Sequence, residues 1–212
     1  MKLGDLLNRL DVLQLRADPE TEITGISFDS RRTVPGDLFV AVRGFETDGH
    51  LYLSQALRQG ASALLCETLP DSGPYILVPD SRLALAQVSC AFYGDPASEM
   101  RMIGVTGTSG KTTVTTLLSQ VLHSASGAKV GLIGTNGIFI GDETFPSAHT
   151  TPESCDLQHI LRRMADCGCT HDVMEVSSHA LTLHRVAGIR YNTAVYTNLS
   201  QDHLDFHGSM DA

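Results

Sequence analysis

GVTGTSGKTTVTTLL, residues 104–118, is the stretch from which the rest of the chain can be read. An apolar run, 102–106, enters it and a helix-forming segment, 111–125, leaves it. That strand–loop–helix context is what a phosphate-binding loop requires. Glycines let the backbone turn so that several N–H groups face one point, and the helix N-terminus adds a field favourable to anions. Gly107, Thr108, Ser109, Gly110, Lys111, Thr112 and Thr113 are therefore the candidate phosphate cradle. Lys111 would stand against the outer phosphates, and the Thr112 hydroxyl is suited to Mg²⁺. One departure from G-x-x-x-x-G-K-[ST] stands out: Val105 occupies the first glycine position, and Gly107 lies inside the loop instead. A Gly/Thr-rich turn with a surface lysine is the bland alternative, and the flanking strand and helix argue against it.

Working outward, apolar runs at 130–134, 173–176 and 194–197 read as strands, with helices near 111–125 and 153–167 between them. Such alternation predicts right-handed crossovers and a parallel sheet covered by helices. Upstream, 38–42, 63–66 and 75–78 read as short buried strands, with helical patterns at 51–59 and 81–92. Between the two sets lies YGDPASEMR, residues 93–101, rich in turn residues like a short linker. The fold class is α/β, with a small N-terminal α/β domain over 1–97 and a phosphate-loop, parallel-sheet domain over 98–212.

Composition narrows the function classes. The net charge of −9 and the absence of a Lys/Arg cluster provide no basic field for a nucleic-acid backbone. Five cysteines, Cys66, Cys90, Cys155, Cys167 and Cys169, form an odd set without secreted-domain spacing, and no charged, apolar leader opens the chain. A reducing cytoplasm is the expected location. Cys167 and Cys169 lack the second pair a zinc site needs. No apolar run reaches the roughly 20 residues of a membrane span, so no membrane partner is expected.

Three further polar stretches gather chemistry. VMEVSSHAL, residues 173–181, sets Glu175 near the carboxyl end of a strand, where open α/β sheets bind ligands. YTNLSQDHLDFHG, residues 196–208, crowds Asn198, Asp202, His203, Asp205 and His207 just past another strand, although turn formation and helix capping also favour Asn, Ser and Asp there. HTTPES, residues 149–154, joins hydroxyls to a Pro turn and a helix start.

TGTSGKTT, MEVSSHAL and TNLSQDHLDFHG, in this order, resemble the Mur ligase family of ATP-dependent amide-bond-forming enzymes. The N-terminal stretch from ISFDSRR to ASALLCE, residues 26–67, resembles the UDP-sugar-recognition domain of those members that act on UDP-N-acetylmuramoyl-L-alanyl-D-glutamate. It separates them from folylpolyglutamate and cyanophycin ligases, which share the phosphate loop. The resemblance implies ATP on Gly107–Thr113, with Lys111 balancing charge and Mg²⁺ held by Thr112, Glu175 and His203. It implies substrate contacts at Phe28, Ser30, Phe45, Glu46 and Thr47, then at His149, Thr150, Thr151, Ser177, Leu183 and Arg185. Arg185 would also join Lys111 in stabilising charge during the reaction. His149 stands where some relatives have Asn, and Leu183 where some have Gln.

The implied reaction adds a diamino acid, meso-diaminopimelate or lysine, through an acyl phosphate. The resemblance also implies a third, C-terminal domain and a carbamylated lysine beyond Ala212; on that expectation the chain is a fragment, inactive alone. A non-catalytic module that binds a UDP-sugar or nucleotide is the alternative from another class.

Overall fold

A computed structural model describes residues 1–44, 47–141 and 143–209. Contacts divide the chain into two units. The first comprises Met1–Asp95 with Ser154–His159 and Leu183–Gly188; the second comprises Pro96–Glu153, Ile160–Thr182 and Ile189–Ala212.

The first unit runs α1 (Leu3–Leu7), β1 (Gln14–Arg16), β2 (Gly25–Ser27), β3 (Asp37–Val40), α2 (Leu53–Arg58), β4 (Ala63–Cys66), β5 (Tyr75–Leu77) and α3 (Ser81–Phe92). Its strands lie in the order β1-β5-β4-β3-β2. All neighbours are parallel except β1, which joins the edge antiparallel to β5. Every residue of β3 and β4 is buried, as expected of parallel strands covered on both faces. The pleat sends alternate side chains to two cores. Leu38, Val40 and Leu65 pack with Leu3, Leu6 and Leu85. Phe39, Leu64 and Cys66 pack with Leu53 and Ala56 on the other face. The Asp80 carboxylate caps α3 by accepting from the Leu83 N–H at 2.9 Å.

The second unit runs β6 (Arg101–Thr106), α4 (Lys111–Ser126), β7 (Val130–Gly134), β8 (Gly137–Ile140), β9 (Glu143–Phe145), α5 (Ser154–Asp166), which begins in the first unit, β10 (His171–Glu175), α6 (Ser178–Thr182), β11 (Thr193–Tyr196) and α7 (Leu204–His207). The strand order is β11-β6-β10-β7-β8-β9. Strands β11, β6, β10 and β7 form the expected parallel set. β8 and β9 add an antiparallel extension absent from the sequence reading. Its first turn, with Gly134 opposite Gly137, spans Thr135-Asn136, and Asn136-Gly137 is a hairpin signal that the helix–strand alternation masked. Val114, Leu118 and Leu122, at helical spacing on α4, pack onto Ile103, Val105 and Val173. β6 and β7 flank β10, so the crossover through α4 skips one strand and leaves β10 central.

Asp172, the second residue of β10, is 0% exposed, and among the described residues neither of its carboxylate oxygens has a hydrogen-bond partner. Burial pushes its pKa well above the ordinary carboxylate range. Burial, and then the neighbouring Asp172, also push the Tyr191 phenol up.

All five cysteines are free thiols; Cys167 is exposed and the other four are buried. Among the described residues, no helix is long and apolar enough to cross a membrane.

Candidate functional site

β6 delivers the chain to the glycine-rich loop at its carboxyl end, and α4 begins at Lys111. The first bond of that helix runs from the Val114 N–H to the Gly110 carbonyl at 2.9 Å. The N–H groups of Lys111, Thr112 and Thr113 thus precede any intrahelical acceptor, the arrangement an anion needs. The Lys111 ammonium folds back on the loop, donating to the Gly107 carbonyl at 2.6 Å and the Thr108 carbonyl at 3.1 Å. Outer phosphate oxygens would compete with these two acceptors.

Glu175 ends β10 beside the loop and is 1% exposed. The Thr112 hydroxyl donates to its Oε2 at 3.0 Å. Thr135 donates to the same carboxylate twice, from its N–H to Oε1 at 2.9 Å and from its hydroxyl to Oε2 at 3.4 Å. A carboxylate this deeply buried needs such donors. Thr151 is 0% exposed, and its hydroxyl donates to the Glu175 carbonyl at 2.8 Å. That bond ties residue 151, named in the sequence reading as a substrate contact, to the end of β10. The Ser177 hydroxyl accepts from the Ala180 N–H at 3.2 Å at the start of α6. Thr150 shares a hydrogen bond of 3.0 Å with Thr135, and His149 is exposed.

A cavity of about 250 Å³ opens beside Lys111, lined by Gly107, Thr108, Ser177, His203 and His207 among others. His203 has a left-handed backbone, φ 51°, uncommon for a residue with a side chain. It meets the His179 ring edge-on, with centroids 4.6 Å apart. His207 shares a hydrogen bond of 2.9 Å with the Ser178 hydroxyl.

Hydroxyl and carboxylate oxygens on Thr112 and Glu175 are the hard donors Mg²⁺ prefers, and they already lie together. Among the described residues, no group of three or more His, Cys, Asp or Glu side chains is gathered as a metal site. An ion there would rely on water and phosphate oxygens for its remaining ligands, as Mg²⁺ commonly does.

Two residues that the sequence reading did not single out shape this site. Thr135 holds Glu175 from 40 residues away. A Cβ on Gly134 would lie 2.2 Å from Glu175 Oε1, 3.0 Å from Cδ and 3.1 Å from Cγ. Because that carboxylate is buried and held by Thr112 and Thr135, it has little room to yield. Gly134→Ala is expected to push the carboxylate away from Thr112 and Thr135 and to lower stability by about 1–3 kcal/mol; urea unfolding of the variant beside its parent checks this.

In the first unit, Phe28 packs against the core, and it also lines a polar cavity of about 100 Å³ with Asp29, Arg32 and Asp37. Hydrogen bonds from the Arg31 side chain hold the Asp29 carboxyl below its usual range. Ser30 is buried. The Thr47 hydroxyl lies 3.3 Å from that of Tyr52. Phe45 and Glu46 lie outside the described residues. The neighbouring loop is tied by His50, whose Nδ1 meets Asp48 Oδ1 at 2.6 Å while its Nε2 accepts from the Glu67 N–H at 2.9 Å. That pairing requires a neutral ring with its proton on Nδ1. Leu183 and Arg185 belong to the first unit, whereas Lys111, Glu175 and His203 belong to the second.

A glycine-rich loop between strand and helix, a lysine on the loop and a carboxylate ending the adjacent parallel strand define a phosphate-loop protein of the open α/β class. Residues 105–212 match the Mur ligase middle domain, and residues 22–93 match the Mur ligase family, catalytic domain. The chain belongs to the Mur ligase family.

Among its relatives is the UDP-N-acetylmuramoyl-L-alanyl-D-glutamate--2,6-diaminopimelate ligase of Geobacillus thermodenitrificans, 48% identical over 212 residues, covering 100% of this chain and 43% of the relative. A solved structure of a ligase of that name is 30% identical with a TM-score of 0.84, covering 100% of this chain and 42% of the other. A MurF ligase from Thermotoga maritima in complex with ADP is 27% identical with a TM-score of 0.60, covering 90% of this chain and 40% of the other. The chain thus spans 42–44% of the length of the curated relatives it matches.

Proposed function

We propose that this chain supplies the UDP-sugar-binding and ATP-binding parts of a ligase of the MurE type, which joins a diamino acid to UDP-N-acetylmuramoyl-L-alanyl-D-glutamate in the cytoplasm. The observation that carries this reading is the Lys111–Thr112–Glu175 cluster on a phosphate loop, in a chain 48% identical to a relative of that name. Residues 1–97 would be the UDP-sugar domain, through Phe28, Ser30, Phe45, Glu46 and Thr47. Residues 98–212 would be part of the ATPase domain, with His149, Thr150, Thr151, Ser177, Leu183 and Arg185 toward the muramoyl peptide.

A carboxylate resists attack because its charge repels nucleophiles and its oxygen leaves poorly. ATP removes both obstacles. The D-glutamyl side-chain carboxylate attacks the γ-phosphate, releasing ADP and forming an acyl phosphate. The amine of the diamino acid then displaces phosphate, losing its proton as the amide forms. Lys111 would leave its loop carbonyls for the phosphate oxygens, and the first-turn N–H groups of α4 would orient them. Arg185 would face the developing negative charge. Such preorganised donors lower barriers by several kcal/mol, about 3–4 for a single oxyanion contact. Thr112 and Glu175 would hold Mg²⁺, with His203 as a further ligand, and the ion when bound would neutralise phosphate charge.

Calorimetric titration with the UDP-sugar dipeptide, and separately with ADP and Mg²⁺, tests the reading. Both ligands are expected to bind, and Lys111→Ala is expected to lose ADP while keeping the UDP-sugar. Failure of the parent chain to bind the UDP-sugar would overturn the assignment.

A further inference from the structure

Residues 197–200, just past β11, meet the phosphate loop at several points. The Asn198 carboxamide grips one residue from both sides: Oδ1 accepts from the Ser109 N–H at 3.2 Å and from its hydroxyl at 3.3 Å, while Nδ2 donates to the Ser109 carbonyl at 3.1 Å. The Asn198 carbonyl accepts from the Thr108 N–H at 3.0 Å. The Thr197 hydroxyl donates to the Ser109 carbonyl at 2.8 Å. The Thr108 hydroxyl bonds both the Ser200 carbonyl, at 3.1 Å, and the Ser200 N–H, at 2.9 Å. These contacts join segments about 90 residues apart.

We propose that Asn198 is a positioning residue for nucleotide binding, setting the shape of the phosphate loop through Ser109. The assignment rests on the nucleotide reading given above. A carboxamide supplies an acceptor and a donor on one planar group, matching the N–H and C=O of a single residue. Aspartate has the same outline and no donor; alanine has neither group. The clamp also decides which amides remain for an anion. With the Thr108 and Ser109 N–H groups turned toward Asn198, those of Lys111, Thr112 and Thr113 lead the helix toward the phosphates. The clamp shares its loop with His203, so the lysine side and the histidine side of the cavity are fixed by one short segment.

The test combines amide exchange with binding in the 212-residue chain and its Asn198→Ala and Asn198→Asp variants. Hydrogen exchange at Ser109 is expected to quicken about fivefold to tenfold in the alanine variant, the loss of one or two ordinary hydrogen bonds, with amides of β6 and β10 unchanged. The dissociation constant for ADP with Mg²⁺ is expected to rise by a similar factor in both variants. The aspartate variant keeps the side-chain outline and serves if the alanine variant does not fold. Unchanged exchange at Ser109, unchanged ADP affinity, or faster exchange spread evenly through the unit would each overturn the proposal. A parent chain that binds no ADP would refute the nucleotide reading, and the exchange measurement alone would then decide the clamp.

Discussion

Gly107→Ala is expected to weaken ADP binding by at least about a hundredfold. Gly107 adopts φ 132°, where a side chain is strained whatever the available space. Backbone in such regions costs a non-glycine residue about 1–3 kcal/mol. Space is also lacking: a Cβ would lie 2.1 Å from the Thr197 hydroxyl, 2.8 Å from the Asn198 carbonyl oxygen and 3.0 Å from the Asn198 nitrogen. A hydroxyl can rotate, but the Asn198 main chain is bonded to Thr108 and cannot retreat without releasing the loop. Each ~1.4 kcal/mol against the competent loop is a tenfold loss of affinity, so strain and collision together reach the stated size. Calorimetric titration with ADP and Mg²⁺ measures the effect, and an unchanged far-ultraviolet spectrum separates it from unfolding. An alanine variant that bound ADP like its parent would show that the close approach of 107 to 197–198 is dispensable.

The second large effect concerns stability. Asp172 has a folded-state pKa raised by burial, while in the unfolded chain it titrates near ~3.9. Below about pH 4 both states hold the proton, and ionisation takes nothing from the fold. As pH rises, the unfolded chain releases its proton while the folded chain keeps it. Stability then falls by up to ~1.4 kcal/mol per pH unit until the raised pKa is passed. Asp172→Asn matches the neutral side chain in shape and has no proton to lose. Urea unfolding at about pH 5 and about pH 7 is expected to show the variant's advantage growing at up to that rate. An advantage independent of pH would mean that water or a neighbouring group already solvates the carboxylate.

The fold was legible where local pattern and tertiary environment agree. β3 and β4 are short apolar runs because both faces are buried, and 38–42 and 63–66 were read accordingly. The α4 stripe declares its packing face by spacing alone. β1 and β2 carry no such mark: β1 is exposed throughout, and β2 has only one buried residue. The β8–β9 extension is only weakly marked, because Asn136-Gly137 is a short turn signal inside a stretch dominated by helix–strand alternation. In the site, the phosphate loop and Glu175 are marked by residue type and by their place at strand ends. What holds them is not. Thr135, Gly134 and Asn198 act through contacts 40 to 89 residues distant, and no local pattern reports such pairings.

The carboxylate of Glu175 is shared among three stretches of chain: the start of α4 through Thr112, the β7–β8 turn through Gly134 and Thr135, and its own strand. Positions bound to one common group do not change independently, and the effects of altering them do not sum. A shorter acid at 175 is therefore expected to cost less when the side chains at 112 and 135 are altered with it than the separate costs would sum to.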